Sequence, residues 1–393
     1  MKQLFFIIAY SLALTATAQQ GELPALLKDI EQNNLTLKAL REDANAQKLG
    51  NKTGIFLANP EIGVSHVWGN PSEPGSHQNI SVSQELDVAT IGGFKQRTSR
   101  KRNEAIELQY AVERTNLLLE AKKAYIELVY QNNQIRELEV RKQHAQRTVK
   151  LFEKRLKAGD ASLLEYNKAR LSLTGIEGTL ERAIIEQENI QNTLLNLNGG
   201  IPITPRAQAY EPTLLPNDFA QWYTMAESKS PEIAQARQIT IAEQSYSKQV
   251  RMEGLPSITA GYEQENIGNG EGEKSVSIGL SIPLWANKNK VKQAKAAVQT
   301  AKTREEAIRQ TQRNRLEGLY RKALSLQKTV TAYRNALLTQ NNTPRLNSAL
   351  ESGNISLLDY LTEIALYYDT VDQTLSTERD LQNTIAELTA YDL

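Results

Sequence analysis

The sequence predicts a mainly α-helical fold with a transmembrane β-barrel component, built from two tandem copies of one unit. Three observations predict it. A segment recurs at an offset of 194 residues, long stretches carry apolar and small residues at a 3.5-residue period, and four short segments alternate apolar and polar residues at period two. Composition sets the outer bounds. The 393 residues are 40% hydrophobic, 23% charged and only 6% aromatic, with a mean hydropathy of −0.48, which excludes a polytopic helical membrane protein. Basic and acidic residues balance at 46 against 45, so there is no global field for nucleic acid. The absence of Cys excludes disulfides, thiolate metal sites, a cysteine nucleophile and an acylated N-terminal cysteine.

The chain begins with Met1-Lys2-Gln3, an apolar run from Leu4 to Leu14, and the small-residue site Ala16-Thr17-Ala18. That order of basic, apolar and small residues reads as a signal peptide over residues 1–18, so the mature chain is expected to be exported. No later run approaches the 18 or more apolar residues of a membrane-spanning helix.

Within the mature chain, Arg155-Leu-Lys-Ala-Gly-Asp-Ala-Ser-Leu-Leu-Glu-Tyr166 matches Ala349-Leu-Glu-Ser-Gly-Asn-Ile-Ser-Leu-Leu-Asp-Tyr360 at six of twelve positions. Chance gives about one. A second correspondence pairs Asn59–Val64 with Leu255–Ala260 at nearly the same offset. Two signals in one order mean a tandem duplication: a first repeat over 19–198, a Gly- and Pro-marked linker over 199–216, and a second repeat over 217–393.

The helices follow from the period. Leu117, Ala121, Ala124, Leu128, Gln131, Ile135 and Leu138 step by four and three. The same alternation runs from Tyr166 to Leu197 and, in the second repeat, from Ala294 to Leu337. A strict 3.5-residue period marks helices that supercoil around neighbours. A helix from about Ala89 to Leu156 would be ~100 Å long, with a partner only slightly shorter in the second repeat. Each helix pair turns at Gly159-Asp160 or Gly353-Asn354, where Gly suits the left-handed position after a helix and Asp, Asn or Ser caps the next one.

Four strands precede the long helices: Pro60 to Trp68, His77 to Leu86, Pro256 to Gln264 and Lys274 to Leu284. Each has about ten residues with one apolar and one polar face, the length and pattern of a tilted outer-membrane strand. One chain supplies only four, and open sheet edges are not tolerated in lipid, so closure needs several chains. A dimer would make eight strands with a filled interior; a trimer would make twelve and leave a lumen.

Two copies of a hairpin, a very long helix, a Gly turn and a shorter helix, with Ser281-Ile-Pro-Leu284 closing the second hairpin and Gly-x-x-Ser-Leu-Leu-[DE]-Tyr at the tips, resemble the TolC family of outer-membrane efflux channels. The resemblance covers essentially the whole mature chain. It implies a homotrimer in the outer membrane of a Gram-negative bacterium, with a twelve-stranded barrel embedded in outer-membrane lipid and a twelve-helix tunnel extending into the periplasm. It also implies a passive exit duct in a tripartite efflux or type I secretion system, working with a periplasmic adaptor (membrane fusion protein) and an inner-membrane pump. No cofactor is implied. Some departures are visible: the N-terminal Cys that relatives acylate is absent, and Leu393 directly follows the last helix, without the C-terminal extension of some members. Asp359 falls on the first of two carboxylates that ring the periplasmic entrance in gated relatives; Thr362 stands on the second, with Glu363 beside it. Ile355 stands where such relatives place an arginine that helps lock the tip.

The resemblance thus assigns a channel constriction to Asp359, Thr362 and Glu363. It assigns adaptor docking to Leu156, Gly159, Ser162, Leu163, Leu350, Gly353, Ser356 and Leu357, whose leucines, exposed at a tip, would suit another protein's helical hairpin. Glu165, equivalent to Asp359 in the first repeat, reads as an N-terminal helix charge. Lys95, Arg97, Arg100, Lys101 and Arg102 form a basic run that reads as a solvated helix face, with anionic headgroups as the functional alternative. His66, His77 and His144 lack metal-ligand spacing, and Gly268–Glu273 lacks the alternating carboxylates of a calcium loop. No phosphate loop, nucleophile elbow or dinucleotide fingerprint appears, so no enzyme activity is expected. The alternative reading is a soluble periplasmic coiled-coil structural or adaptor protein. Adaptors carry one helical hairpin in a compact β domain, whereas this sequence has two hairpin copies and no such domain.

Overall fold

A computed structural model describes residues 22–68, 76–203, 205–207, 209–212, 215–267 and 272–393. The expected signal peptide and parts of both hairpin loops and of the linker lie outside the described residues. The elements run α1 (Glu22–Asn33), α2 (Leu35–Gly50), β1 (Glu61–Val67), β2 (His77–Leu86), α3 (Val88–Ile91), α4 (Phe94–Ala158), α5 (Leu163–Leu197), α6 (Phe219–Lys229), α7 (Pro231–Met252), β3 (Ser257–Ile267), β4 (Gly272–Ser281), α8 (Lys290–Thr339), α9 (Thr343–Glu351) and α10 (Leu357–Leu388), closed by a short 3₁₀ turn at Ala390–Asp392. Among the described residues no helix is long and apolar enough to cross a membrane.

Two expected helix boundaries are corrected, each for a local reason. The helix expected from Ala89 is interrupted after Ile91, because Asp87 caps only the short α3 and Gly93 takes φ +68°, a left-handed conformation that ends it before α4 begins. The long helix of the second repeat stops at Thr339, and α9 restarts with a Pro in its first turn, where a missing N–H costs nothing.

The chain forms two compact units, and neither is a sequence half: residues 22–37, 114–222 and 316–393 make one, residues 38–113 and 223–315 the other. The first unit is all helix and connector. Leu23, Leu26 and Ile30 of α1 pack with Ala121, Tyr125, Leu128 and Val129 of α4 and Ile190 and Leu194 of α5. The linker joins this core: Ala207 is fully buried, and Asn132 Nδ2 of α4 donates to its carbonyl at 3.1 Å. A second cluster gathers Phe152, Ala169, Leu350, Leu357, Tyr360 and Ile364 beneath the helix tips.

The second unit carries the sheet, antiparallel throughout and ordered β1-β2-β3-β4. Its register sorts the side chains into two faces. Ile62 and Val64, Ile80 and Val82, Ile258, Ala260 and Tyr262, and Val276, Ile278 and Leu280 share one face. Gly63 and Ser65, Asn79, Ser81 and Ser83, Gly261 and Glu263, and Ser275, Ser277 and Gly279 share the other. Beneath the sheet the helices meet through small residues, among them Ala44, Ala89, Ser99, Ala236, Ala242, Ala294 and Ala301. Glu107 of α4 takes hydrogen bonds from Arg41, at 2.8 Å, and from Lys48 of α2, and Arg102 stacks 4.6 Å from the Tyr246 ring.

Candidate functional site

Two regions stand out: the helix tips and the sheet. At the first tip the Gly159 amide donates to Leu156 O at 3.2 Å and the Asp160 amide to Arg155 O at 2.8 Å; at the second, Gly353 donates to Leu350 O at 3.2 Å and Asn354 to Ala349 O at 2.8 Å. These are two copies of one Schellman turn, with φ +85° at Gly159 and +76° at Gly353. Ser162 and Ser356 then cap α5 and α10. The Ser162 amide and hydroxyl each donate to the Glu165 carboxylate at 2.8 Å, which holds Glu165 below the usual carboxylate range. Ser356 Oγ donates to Asp359 at 2.7 Å and accepts from the Asp359 amide at 3.1 Å.

Asp359, Thr362 and Glu363 are all exposed. Their spacing places them with Leu366 on one stripe of α10, opposite the buried Leu357, Tyr360 and Ile364. The Thr362 hydroxyl donates back to Leu358 O at 2.9 Å. Of the tip leucines, Leu163 is exposed, with Leu164 beside it, and Leu156 is half-buried. Leu350 and Leu357 correct the expectation of exposed leucines: they are 3% and 1% exposed, because the Gly353 turn folds α9 against α10 and both side chains join the cluster around Phe152. Leu358 is the exposed leucine there. Ile355 packs against the same cluster, and an arginine reaches the second tip from the first hairpin instead: Arg155 Nη2 donates to Leu350 O at 2.9 Å and Glu351 O at 3.0 Å.

A polar group that the sequence reading missed lies deeper in the same unit. Arg141 of α4 is only 7% exposed and grips Asp372 of α10 with two nitrogens at 2.9 and 2.7 Å. It also donates to Tyr368 O at 3.2 Å and lies 4.5 Å from the Tyr368 ring, whose hydroxyl meets His144 Nδ1 at 3.1 Å. Burial, with help from Arg147, pulls the His144 pKa down. The four-and-three alternation gives no signal for it, since the step after Leu138 lands on Lys142, one residue past Arg141.

The sheet reverses the usual polarity of a soluble hairpin. Along β2 the polar Asn79, Ser81 and Ser83 are half-buried while Ile80 and Val82 are exposed, and on β4 Ile278 is 81% exposed. Such a face is stable only against lipid or another apolar surface. His66 and Trp68 pack edge-on at 5.0 Å at the loop end of the apolar face, where amphipathic rings suit a membrane interface. The polar face is kept low. A Cβ on Gly261 would come within 2.4 Å of Ser277 Oγ across the strand pair, so a larger residue there would force the Ser277 hydroxyl to turn away. Near the loop end the polar face carries Glu263, Glu265 and Glu273, with His77 Nδ1 3.1 Å from Glu265. Among the described residues no cluster of His, Asp and Glu could hold a metal ion.

Three comparisons bear on this geometry. Residues 222–392 match the sequence model of the outer membrane efflux protein family. No curated protein matches the chain by sequence. Among solved structures, CusC, described in terms of folding and transmembrane channel formation, superposes with a TM-score of 0.78 at 18% identity, over 94% of this chain and 92% of its own. The outer membrane protein VceC of Vibrio cholerae gives 0.76 at 15% identity, over 94% and 95%. The CmeC outer membrane channel of Campylobacter jejuni gives 0.77 at 14% identity, over 94% and 85%. The described fold is that of outer-membrane channels, and residues 222–392 are similar in sequence to the outer membrane efflux protein family.

Proposed function

We propose that the chain is the outer-membrane exit duct of a tripartite efflux or type I secretion system, a homotrimer that passively conducts substrates delivered by an inner-membrane pump through a periplasmic adaptor. The observation that carries this reading is the sheet: four strands with an apolar face turned outward and two unpaired edges, β1 and β4. Lipid does not tolerate open edges, so the sheet must close against other copies, and three copies of four strands make a barrel wide enough for a lumen. The Gly- and Ser-rich polar face then lines that lumen. In this reading the chain is a signal peptide over 1–18 followed by repeats over 19–198 and 217–393, joined by residues 199–216.

The tips supply the other end of the duct. Asp359, Thr362 and Glu363, on one exposed stripe of α10, would form the periplasmic constriction, and threefold symmetry would bring three Asp359 carboxylates together. The turn residues Gly159, Ser162, Gly353 and Ser356 with the exposed Leu163 would present the docking surface to the adaptor, while Leu156, Leu350 and Leu357 would hold its shape from beneath. The test of the whole reading is the mass of the detergent-solubilised protein, expected at three chains. A stable monomer that stays soluble without detergent would overturn it in favour of a soluble coiled-coil protein. The test of the constriction is a planar-bilayer recording of Asp359→Asn, expected to lower cation preference with trimer yield unchanged; an effect from Glu363→Gln alone would move the ring to Glu363.

A further inference from the structure

Where β2 leads into the helices, the sheet-bearing unit holds a cleft of about 710 Å³. One wall is the end of α2 and the chain after it, with Lys52 and Phe56; the other is the first turns of α4, with Arg97 and Arg100. Asn51 Nδ2 donates to Asn103 Oδ1 at 2.9 Å and ties the walls together. Two carboxylates also line the cleft, and both are already neutralised. Glu107 is shared by Arg41 and Lys48, and Glu104 takes Lys101 and the Gln238 amide, each at 2.8 Å. Lys52, Arg97 and Arg100 have no carboxylate within ion-pair distance among the described residues, and all three are exposed. Phe56 stands on the rim, 74% exposed.

The order of these groups along the chain is the order of layers in a bilayer. The apolar face of the sheet ends at the pair Leu86 and Ile258. Beyond Leu86 come the exposed Ile91 and then Arg97 and Arg100. On the other wall, stepping back from β1, come the exposed Phe56 and then Lys52. A headgroup layer is about 5–8 Å deep on each side of the hydrocarbon, and Gly93 to Arg97 spans ~6 Å of helix, so Arg97 falls at headgroup depth once the sheet is embedded and Arg100, one turn on, reaches back to it along its stem. Basic residues next to an amphipathic rim at that depth are the arrangement that holds anionic lipid.

We propose that this cleft binds the phosphate of an anionic phospholipid of the periplasmic leaflet, with Lys52, Arg97 and Arg100 as its cations and Ile55 and Phe56 against the start of the acyl chains. The proposal rests on the barrel reading above. Three uncompensated cations favour a net-negative headgroup over a zwitterionic one, and the apolar rim favours a lipid over free phosphate.

Native mass spectrometry of the detergent-solubilised protein, with phosphatidylglycerol and phosphatidylethanolamine added in equal amounts, tests it. The wild type should retain about one phosphatidylglycerol per chain, with a preference on the order of tenfold. The combined variant Lys52→Gln, Arg97→Gln, Arg100→Gln should lose that preference, and Lys322→Gln with Lys328→Gln, on exposed α8 positions, should keep it. An unchanged preference in the triple variant overturns the proposal. So does displacement of the lipid by millimolar inorganic phosphate, which would make the cleft a phosphate site. Absence of any retained lipid in the wild type, as a neighbouring copy filling the cleft would cause, overturns it too. Extraction of the wild type from outer membranes in parallel separates the two readings: protein released without detergent sinks the barrel, whereas embedded protein with no lipid preference sinks only the cleft.

Discussion

The two compact units satisfy their side chains in opposite ways. In the tip-bearing unit apolar side chains gather into cores around Leu128 and Phe152, and even the guanidinium of Arg141 finds a carboxylate, a carbonyl and a ring within the same chain. In the sheet-bearing unit the apolar residues of β1 to β4 are exposed, and along β2 it is the polar ones that are half-buried. The difference teaches that one unit carries its own core, while the sheet of the other leaves its apolar face for a covering surface, which the proposed reading supplies as lipid and further copies.

Changing matched positions in the two units can break that contrast. The largest effect is expected on the apolar sheet face, where Ile278→Arg should cost about 2–4 kcal/mol per chain at the membrane midplane. Protein recovered from the outer membrane should fall sharply, whereas Ser275→Arg, on the polar face opposite Glu263, should leave recovery intact. Equal recovery of the two would mean that the exposed isoleucines do not meet lipid.

In the helical unit the matching cut is Asp372→Ala, which leaves Arg141 buried and unpaired. Asp372 is itself 42% exposed, so the loss should be moderate, about 2 kcal/mol. Hydrogen exchange of the α10 amides would report it. The double change Arg141→Leu with Asp372→Leu should recover most of that stability, since no charge is then left without a partner. A double variant as unstable as the single one would show that packing around Tyr368, not the ion pair, sets the stability.

The two tips offer a smaller comparison within one unit. Gly159→Val and Gly353→Val should each cost about 1–2 kcal/mol, because a side chain is strained at positive φ. Steric crowding adds little, since a Cβ at Gly159 meets nothing within 4 Å and one at Gly353 meets only Arg155 Nη2 at 3.6 Å. Membrane insertion should survive both changes, and efflux measured with the partner pump should drop for the pair. Normal efflux in the paired variant would count against docking at the tips.

The smallest effect is expected from pH. His144 has its pKa lowered in the folded chain, so the unfolded chain binds the extra proton more readily. Its contribution is therefore fully present above the ordinary value of 6.5 and is lost as pH falls from there toward the lowered folded value. Exchange of the α10 amides, corrected for intrinsic rates, should speed up between pH 7 and about 5.5, and His144→Gln should flatten that slope. An identical slope in the variant would assign the pH response to other groups.

Much of this molecule is legible from short-range chemistry. The Gly-Asp and Gly-Asn turns, their Ser caps and the alternating strands depend on residues within a few positions of one another, and the period shows which face is apolar. The breaks at Gly92-Gly93 and before Pro344 use signals equally local, which the period continuing across them masks. Arg141 is a different case. A charged residue reads as solvated until its partner is known, and Asp372 lies 231 residues away. Leu350 and Leu357 went astray for a related reason, since a leucine beside a turn shows its exposure only once the fold-back of α9 onto α10 is known.

By itself the sequence determined the local conformations and the sorting of side chains to faces, because backbone sterics, capping and periodicity act over a few residues. Only the tertiary structure decided which faces are covered by the chain and which are not. It buried Arg141 against α10, drew Leu350 and Leu357 under the second tip and tied the linker into the helical core. It also left one whole face of the sheet bare of any covering element. Coverage is a matter of what lies across the gap, and that is set by residues far apart in the chain or, for the apolar face of the sheet, by none of the described residues.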